Sequence, residues 1–494
     1  MIDDKLFPYI CEIEMNWFEG VIQNPWVWYS VSTLYALIIL SIICVVVSEN
    51  RNPVKTLAWV TVLLVAPVVG LVLYIIFGRN IQGMRVISRK NRRKLRRLDG
   101  SGRVSPADLP QSPQALQQIK LASSLCGSDF YPGNSAEIYD NGTEKFDALL
   151  RDIAGARRFI NLEYYIVEDD AIGNRVADAL IERARAGVKV RLLYDHVGSF
   201  KAGRKFFRRL HEAGIESTPF FKVVFPPFGT RINWRNHRKI CVIDGVTGYI
   251  GGMNIADRYI DGGKFDLWRD VHIRVTGPAV ISLEKAFAVD WTFTGHPLID
   301  DPHPAPLPVE KPGMGMQLIT GGPTSQWLNM TLVFQKAISV ARKCVYIQTP
   351  YFLPTEGLLH SLQMAALAKI DVRVMLPARS DSDMLRWASN SYVSECIKSG
   401  IKVYFYEKGM LHSKVIIVDD EFATVGSANF DFRSFEHNFE ANMLVYSREF
   451  NARMKELFLR DQRDCRRVNP NKWRHRPLPE KALESFMRLF APIL

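Results

Sequence analysis

The sequence has no C-x-x-C pair, and its seven cysteines (Cys11, Cys44, Cys126, Cys241, Cys344, Cys396 and Cys465) are scattered and odd in number. Such spacing excludes a disulfide framework and a thiolate zinc site. A reducing compartment for the main body is the simpler inference. Acidic residues are in the minority: 51 Asp and Glu stand against 63 Lys and Arg, a formal net charge of +12. That surplus suits an anionic partner, whether nucleic acid, anionic lipid or a phosphorylated substrate; it also suits a merely solubilising surface, and composition does not choose.

Charge is missing altogether from two runs near the start, about Trp26 to Val47 and about Thr56 to Phe77. Each is about the 20 residues that a helix needs to cross hydrocarbon. Trp26, Trp28 and Tyr29 open the first as interfacial anchors do, and Pro67 and Gly70 interrupt the second, which membrane helices tolerate. The leader before them is acidic (Asp3, Asp4, Glu12, Glu14, Glu19), unlike a cleaved signal peptide. The connection from Ser48 to Lys55 is short, so the pair is expected to form a transmembrane helical hairpin. Arg79, Arg85, Arg89, Lys90, Arg92, Arg93, Lys94, Arg96 and Arg97 follow, and the positive-inside rule puts them, and the main body, on the cytoplasmic side of the cell membrane. This basic stretch could bind anionic headgroups or could simply set topology.

Beyond a Gly-, Ser- and Pro-rich stretch from Asp99 to Pro113, strand and helix alternate. Phe159 to Ile166 reads as a strand, Ala171 to Ala186 as a helix ending at Gly187, and Val188 to Tyr194 as a second strand. This is βαβ logic and an α/β fold. After a Pro-rich stretch from Asp300 to Gly315 the pattern returns, with a strand at Cys344 to Ile347, a helix near Gly357 to Ala368 and a strand at Val372 to Leu376. ARRFINLEYY from Ala156 matches ARKCVYIQTP from Ala341, and VKVRLL from Val188 matches VRVMLP from Val372. A duplication of this period implies two similar lobes. The expected organisation is a leader (1–25), two membrane helices (26–77), a basic segment and linker (78–125), lobe 1 (126–300), a Pro-rich linker (301–325) and lobe 2 (326–494).

The duplication is sharpest where the chemistry is. NHRKICVID carries His237, Lys239 and Asp244; LHSKVIIVD carries His412, Lys414 and Asp419. Both read H-x-K-x4-D, and at the same interval downstream stand Asn254 (GGMN) and Asn429 (GSAN). With ten His in the chain, roughly 0.03 accidental matches to H-x-K-x4-D are expected, so a matched pair is no accident. In a strand, positions i and i+2 share a face, so each His and its Lys point together. Two lobes packed with pseudo-twofold symmetry would bring two imidazoles and two ammonium groups into one pocket.

That set suits a phosphodiester. Lys239 and Lys414 would neutralise the non-bridging oxygens, and Asn254 and Asn429 would donate hydrogen bonds to them. One imidazole would attack phosphorus while the other protonates the leaving alkoxide and then activates the incoming hydroxyl. A carboxylate on the other ring nitrogen would fix each tautomer. Asp270 (WRD) and Glu440 (NFE), each a short way past its lobe's Asn, are candidates to orient the opposing histidine. Zinc would want carboxylates in place of the two lysines, so no metal is expected.

At these residues the chain resembles the phospholipase D superfamily, whose signature is H-x-K-x4-D with a following Asn. RINWRNHRKICVIDGVTGYIGGMNIADRY (Arg231 to Tyr259), QTPYFLPTEGLL (Gln348 to Leu359) and LHSKVIIVDDEFATVGSANFDFRSFEHNFE (Leu411 to Glu440) are similar to the bacterial cardiolipin synthase branch, as is the N-terminal hairpin. The resemblance implies two phospholipase D-type lobes and catalytic roles for His237, Lys239, Asp244, His412, Lys414 and Asp419. It also implies that two phosphatidylglycerol molecules are joined into cardiolipin with release of glycerol, using no metal, nucleotide or other cofactor. Sequence does not fix which histidine attacks; the same analogy favours His237. Cys241, and Ala368 to Ile370 before Asp371, depart from the branch's usual residues without touching the motifs. A phospholipase D passing the phosphatidyl group to water shares the intermediate. A nuclease would not require two spans, and no nucleic-acid partner is expected. Two further segments invite a membrane reading: the aromatic stretch Phe220, Phe221, Phe225 and Phe228, and the basic stretch from Lys201 to Arg209 with Phe206, Phe207 and Leu210. The first reads equally as core, and the second reads more readily as an ordinary solvated helix face. The apolar side of the tail from Ala482 is expected to dock on the body.

Overall fold

The computed structural model describes residues 24–48, 53–74, 78, 82–83, 86–97, 105–222, 233–299 and 313–492. The acidic leader, Arg79, Arg85, Phe225, Phe228 and the Pro-rich residues 300–312 lie outside the described residues.

The N-terminal helices form a unit of their own. Pro25–Ser48 is one continuous apolar helix of 24 residues, in which an 18-residue stretch has a mean hydropathy of 2.6; it is long enough to cross a membrane. The second run is a helix from Pro53 to Val65 and another from Pro67 to Leu73. Pro67 lacks the N–H that would continue the ladder, and Ala66 before it leaves the helical region, with ψ at 70°. Ile39, Val46, Leu63 and Tyr74 pack together between these helices, and Trp59 meets Tyr74 edge to face.

The second unit holds both halves of the duplication. In lobe 1 the strand Phe159–Tyr164 runs parallel to Lys189–Asp195 and antiparallel to Lys239–Ile243, with Ile160 opposite Ile243. In lobe 2 Cys344–Gln348 runs parallel to Asp371–Pro377 and antiparallel to Val415–Val418, with Val345 opposite Val418. Setting Ala156 against Ala341 makes Ile160 and Val345 equivalent, so the repeat holds down to strand register. Phe159–Tyr164 and Cys344–Gln348 are buried at every residue because helices cover both faces of the sheet. The helix Ala171–Arg185 is capped by Asp170, whose carboxylate accepts from the Gly173 N–H. It ends where Gly187 adopts a φ of 88°.

Two segments expected to be linkers are structural. Met314–Gly321 is a strand that pairs antiparallel with Tyr131–Tyr139 of lobe 1 and with Asn438–Tyr446 of lobe 2, so both lobes share one sheet of 16 strands. Its apolar residues Met316, Leu318 and Ile319 are buried. Pro113–Cys126 is a helix that packs Ala115, Ile119 and Ala122 against Val333 and Phe334 of lobe 2. Gln118 secures it by donating to the Val333 carbonyl at 2.8 Å.

The basic stretch includes a helix, Arg89–Arg97, and its flanking Ile87 and its Leu95 are buried with Phe220, Phe221, Trp234 and Trp291. Phe220 and Phe221 are therefore core residues, packed on Phe293 and Phe439. The helix Gly203–Glu212 turns Phe206 and Leu210 inward and stacks Phe207 on Tyr194, leaving its basic face to solvent. The tail docks as a helix, Leu478–Arg488, where Arg488 pairs with Glu395 and lies 4.1 Å from the Tyr392 ring centroid.

Candidate active site

Each histidine is held by the lobe it does not belong to. The residues before His237, Arg235–Asn236, run parallel to Asn438–Phe439 of lobe 2, and the His237 N–H donates to the Phe439 carbonyl at 2.9 Å. Met410–Leu411, before His412, runs parallel to Trp268–Arg269 of lobe 1, and the His412 N–H donates to the Arg269 carbonyl at 2.7 Å.

The side chains cross in the same way. His237 Nδ1 is 2.9 Å from Glu440 Oε1 and 3.1 Å from Oε2. His412 Nδ1 is 2.7 Å from Asp270 Oδ2. With Nδ1–H donated to a carboxylate, the lone pair of each ring resides on Nε2. Glu440 is fixed in turn by the Ser427 hydroxyl at 2.5 Å, and Asp270 by the Val271 N–H at 2.7 Å. Both rings line one cavity of about 550 Å³.

Burial sets the charge states. It pushes the His237 imidazole down to about 4, with the Lys239 charge adding to the effect and Glu440 opposing it. His412 is likewise pushed well down by burial and by Lys414. Burial raises Asp270 to about 6, against the pull of Lys414. Glu440, although buried, is held below its usual range by His237 and Lys239. Burial thus works against the charged form of both rings; a neutral ring can attack or accept a proton, and a protonated one can give it.

The two lysines lie beneath the rings rather than on the cavity wall. Lys239 Nζ donates to the His237 carbonyl at 2.5 Å, and Lys414 Nζ donates to the His412 carbonyl. Burial lowers both, Lys414 to about 8. Asn254 lines the cavity; its Oδ1 accepts from the Ile166 N–H at 3.1 Å and its Nδ2 donates to the Tyr259 hydroxyl at 2.6 Å. Asn429 lines it too.

Asp244 and Asp419, expected from the motif to act in catalysis, do not line the cavity with the histidines. Each sits past the far end of its strand, about 16 Å from its lysine at 3.3 Å per residue, with a φ of 54° and 52° respectively. Asp244 accepts from the amides of Arg157, Arg158 and Phe159 at 2.8–3.0 Å. Asp419 accepts from those of Arg342, Lys343 and Cys344 at 2.7–2.9 Å. The motif's aspartate pins the start of the neighbouring strand, and the strand holds the histidine.

Several wall residues escaped the sequence reading. Tyr165 lies 4.8 Å from the His237 ring, and Trp268 5.4 Å and Tyr259 6.0 Å from the His412 ring. Arg235, Arg258, Lys264 and Arg433 make the wall basic, against Asp381 and Asp431. One signal was available: NIADR and NFDFR both place an arginine four residues after the motif asparagine. Among the described residues no group of three or more His, Cys, Asp and Glu is arranged to hold a metal ion.

A duplicated α/β body that faces two carboxylate-backed imidazoles across one basic cavity is a two-lobed phospholipase D-type phosphodiester transferase. The family model "Cardiolipin synthase, PLD-like domain" matches residues 149–291 and 334–462, and the "Phospholipase_D-nuclease N-terminal" model matches 36–79. The chain is 38% identical over 469 residues to a cardiolipin synthase of Geobacillus kaustophilus (strain HTA426), spanning 94% of this chain and 93% of the relative. It is 38% identical over 478 residues to the major cardiolipin synthase ClsA of Bacillus subtilis (strain 168), spanning 94% and 98%. In fold it is similar to the crystal structure of a phosphatidylserine synthase from Haemophilus influenzae Rd KW20, with a TM-score of 0.60 and 14% identity, over 76% of this chain and 100% of the other. The chain belongs to the cardiolipin synthase family.

Proposed function

We propose that this chain joins two phosphatidylglycerol molecules into cardiolipin and releases glycerol, with His237 and His412 as the reacting pair. One Nε2 attacks the phosphorus of the first lipid. The P–O bond to the headgroup glycerol breaks, and the other ring, entering this step as an imidazolium backed by its carboxylate, gives its Nε2 proton to the departing glycerol oxygen. A phosphatidyl-histidine remains. The ring that gave up its proton, now neutral, takes the proton of the second lipid's headgroup hydroxyl; that oxygen attacks phosphorus, the P–N bond breaks, and both rings return to their starting protonation states. Glu440 and Asp270 hold the rings in the required tautomer and stabilise whichever becomes imidazolium. Lys239, Lys414, Asn254 and Asn429 supply positive charge and hydrogen-bond donors around the reacting phosphate. The observation that carries this reading is the crossed pairing of two carboxylate-backed imidazoles over one cavity.

The experiment is to supply the purified chain with phosphatidylglycerol alone and identify the products. Cardiolipin with glycerol is expected; phosphatidic acid with glycerol and no cardiolipin would make the chain a hydrolase.

We further propose that both N-terminal runs span the cell membrane and that the catalytic body is cytoplasmic. Support comes from the length of Pro25–Ser48, the apolar Thr56–Val65 beside it and the basic residues that follow. Protease added outside intact spheroplasts should leave the body uncut, and its digestion there would overturn the orientation.

A further inference from the structure

The cavity wall breaks the symmetry of the fold. Arg258 and Arg433 are equivalent, each four residues after its asparagine, and both line the cavity. Arg258 Nη1 lies 3.1 Å from Glu168 Oε1. In lobe 1 Val167 bridges Ile255, and in lobe 2 Phe352 pairs with Phe430, at equivalent places in the repeat. The residue equivalent to Glu168 is therefore Leu353, a buried aliphatic side chain. Glu168 of lobe 1 pairs with its arginine, and its counterpart in lobe 2 carries no charge.

A second difference adds charge on the same side. Two residues before His412 stands Met410, fully buried; two residues before His237 stands Arg235, on the cavity wall. Arg433 and Arg235 line the cavity together with Tyr165, the ring that packs on His237; burial and the Asp195 charge push the Tyr165 phenol up, and the charges of Arg433 and Arg235 pull against that. They come from different lobes. Arg433 Nη2 donates to the Asn233 carbonyl at 3.1 Å, and Arg235 Nη1 faces Asp195 Oδ2 at 3.9 Å. Asp195 already accepts from the amides of Val197, Gly198 and Asn236. Asn429 and Asn438 also line the cavity, and each has a buried side-chain oxygen with no donor among the described residues. Such oxygens suit the hydroxyls of a glycerol headgroup, because a buried acceptor left unmatched is costly.

A reaction that makes cardiolipin must hold two phosphates in one cavity, separated by the three carbons of a glycerol, while only one of them reacts. The lysines and histidines of the two motifs serve the reacting one. We propose that Arg433 and Arg235 form a subsite for the non-reacting phosphate of the second phosphatidylglycerol, and so decide that a lipid rather than water receives the phosphatidyl group. Guanidinium forks match phosphate oxygens bidentately, and a site built for such a group discriminates strongly against an acceptor that lacks it. The proposal rests on the cardiolipin synthase reading above.

The test uses the full chain in phosphatidylglycerol vesicles, with cardiolipin and phosphatidic acid measured in the same reaction. Arg433→Gln is expected to lower the ratio of cardiolipin to phosphatidic acid about tenfold or more. It should also raise the phosphatidylglycerol concentration at which cardiolipin formation is half-maximal. Arg433→Lys, which keeps the charge and loses the fork, should fall between this variant and the wild type. If both products decline in the same proportion, the arginine serves the reacting phosphate and the proposal fails; an unchanged ratio in both variants overturns it as well. Should Arg433→Gln prove unfolded by thermal melt, the ratio in Arg433→Lys decides. A wild-type chain that makes phosphatidic acid alone would overturn the functional reading itself, whatever the variants do.

Discussion

The two lobes carry the same motif, yet within each motif the ends behave in opposite ways. The aspartates stay at home: Asp244 binds amides 157–159 of lobe 1, and Asp419 binds amides 342–344 of lobe 2. The histidines reach across, His237 to Glu440 and His412 to Asp270. A contact within a lobe builds the fold and can be inherited by each copy separately. A contact between lobes builds the site and needs both copies. Only at the wall does the comparison become unequal, with Glu168 in one lobe where Leu353 stands in the other.

The largest effect should come from removing either ring. His237→Ala and His412→Ala are each expected to lower kcat on the order of 10⁴-fold or more, with thermal unfolding unchanged, because neither ring has a substitute on the other lobe. Near-normal turnover in either variant would break the paired mechanism.

Next come the crossing carboxylates. Glu440→Gln and Asp270→Asn should each cost on the order of 10²-fold or more in kcat, since an amide does not hold Nδ1–H in the required tautomer. The informative outcome is the crossing itself. In Glu440→Gln, NMR of labelled imidazoles should show a tautomer change at His237, in the other lobe, and none at His412.

Asp244→Ala and Asp419→Ala should act on stability instead. Each removes an acceptor from three amides and leaves alanine at a positive φ, a loss of about 3 kcal/mol. A lower unfolding temperature with unchanged kcat per folded molecule is expected. A lost kcat in a fully folded variant would return these aspartates to the chemistry.

The smallest effect concerns pH. His237 titrates near 6.5 when unfolded and, pushed down by burial, at about 4 when folded. Between those values the unfolded chain binds more protons, so this group's contribution to stability is complete above 6.5 and is lost as pH falls toward 4. Asp270, raised from 3.8 to about 6, contributes in the opposite sense and offsets part of the slope. His237→Gln should therefore flatten the fall in denaturation midpoint between about pH 7 and about pH 5. An unaltered slope would mean that the ring is not buried neutral.

Sequence alone settled whatever depends on neighbours along the chain. Strand alternation, the Ala156 and Ala341 repeats and the two H-x-K-x4-D motifs required only local patterns, and the structure keeps all of them. Tertiary structure decided which groups meet. His237 and Glu440 are 203 residues apart, and His412 and Asp270 are 142 apart. Their meeting depends on Met314–Gly321, whose Pro-flanked sequence read as a linker but which pairs with both lobes as one strand. The cavity wall was hidden for the same reason. Arg235 and Arg433 belong to different lobes, and charge that converges through a shared sheet leaves no periodicity for a sequence to display.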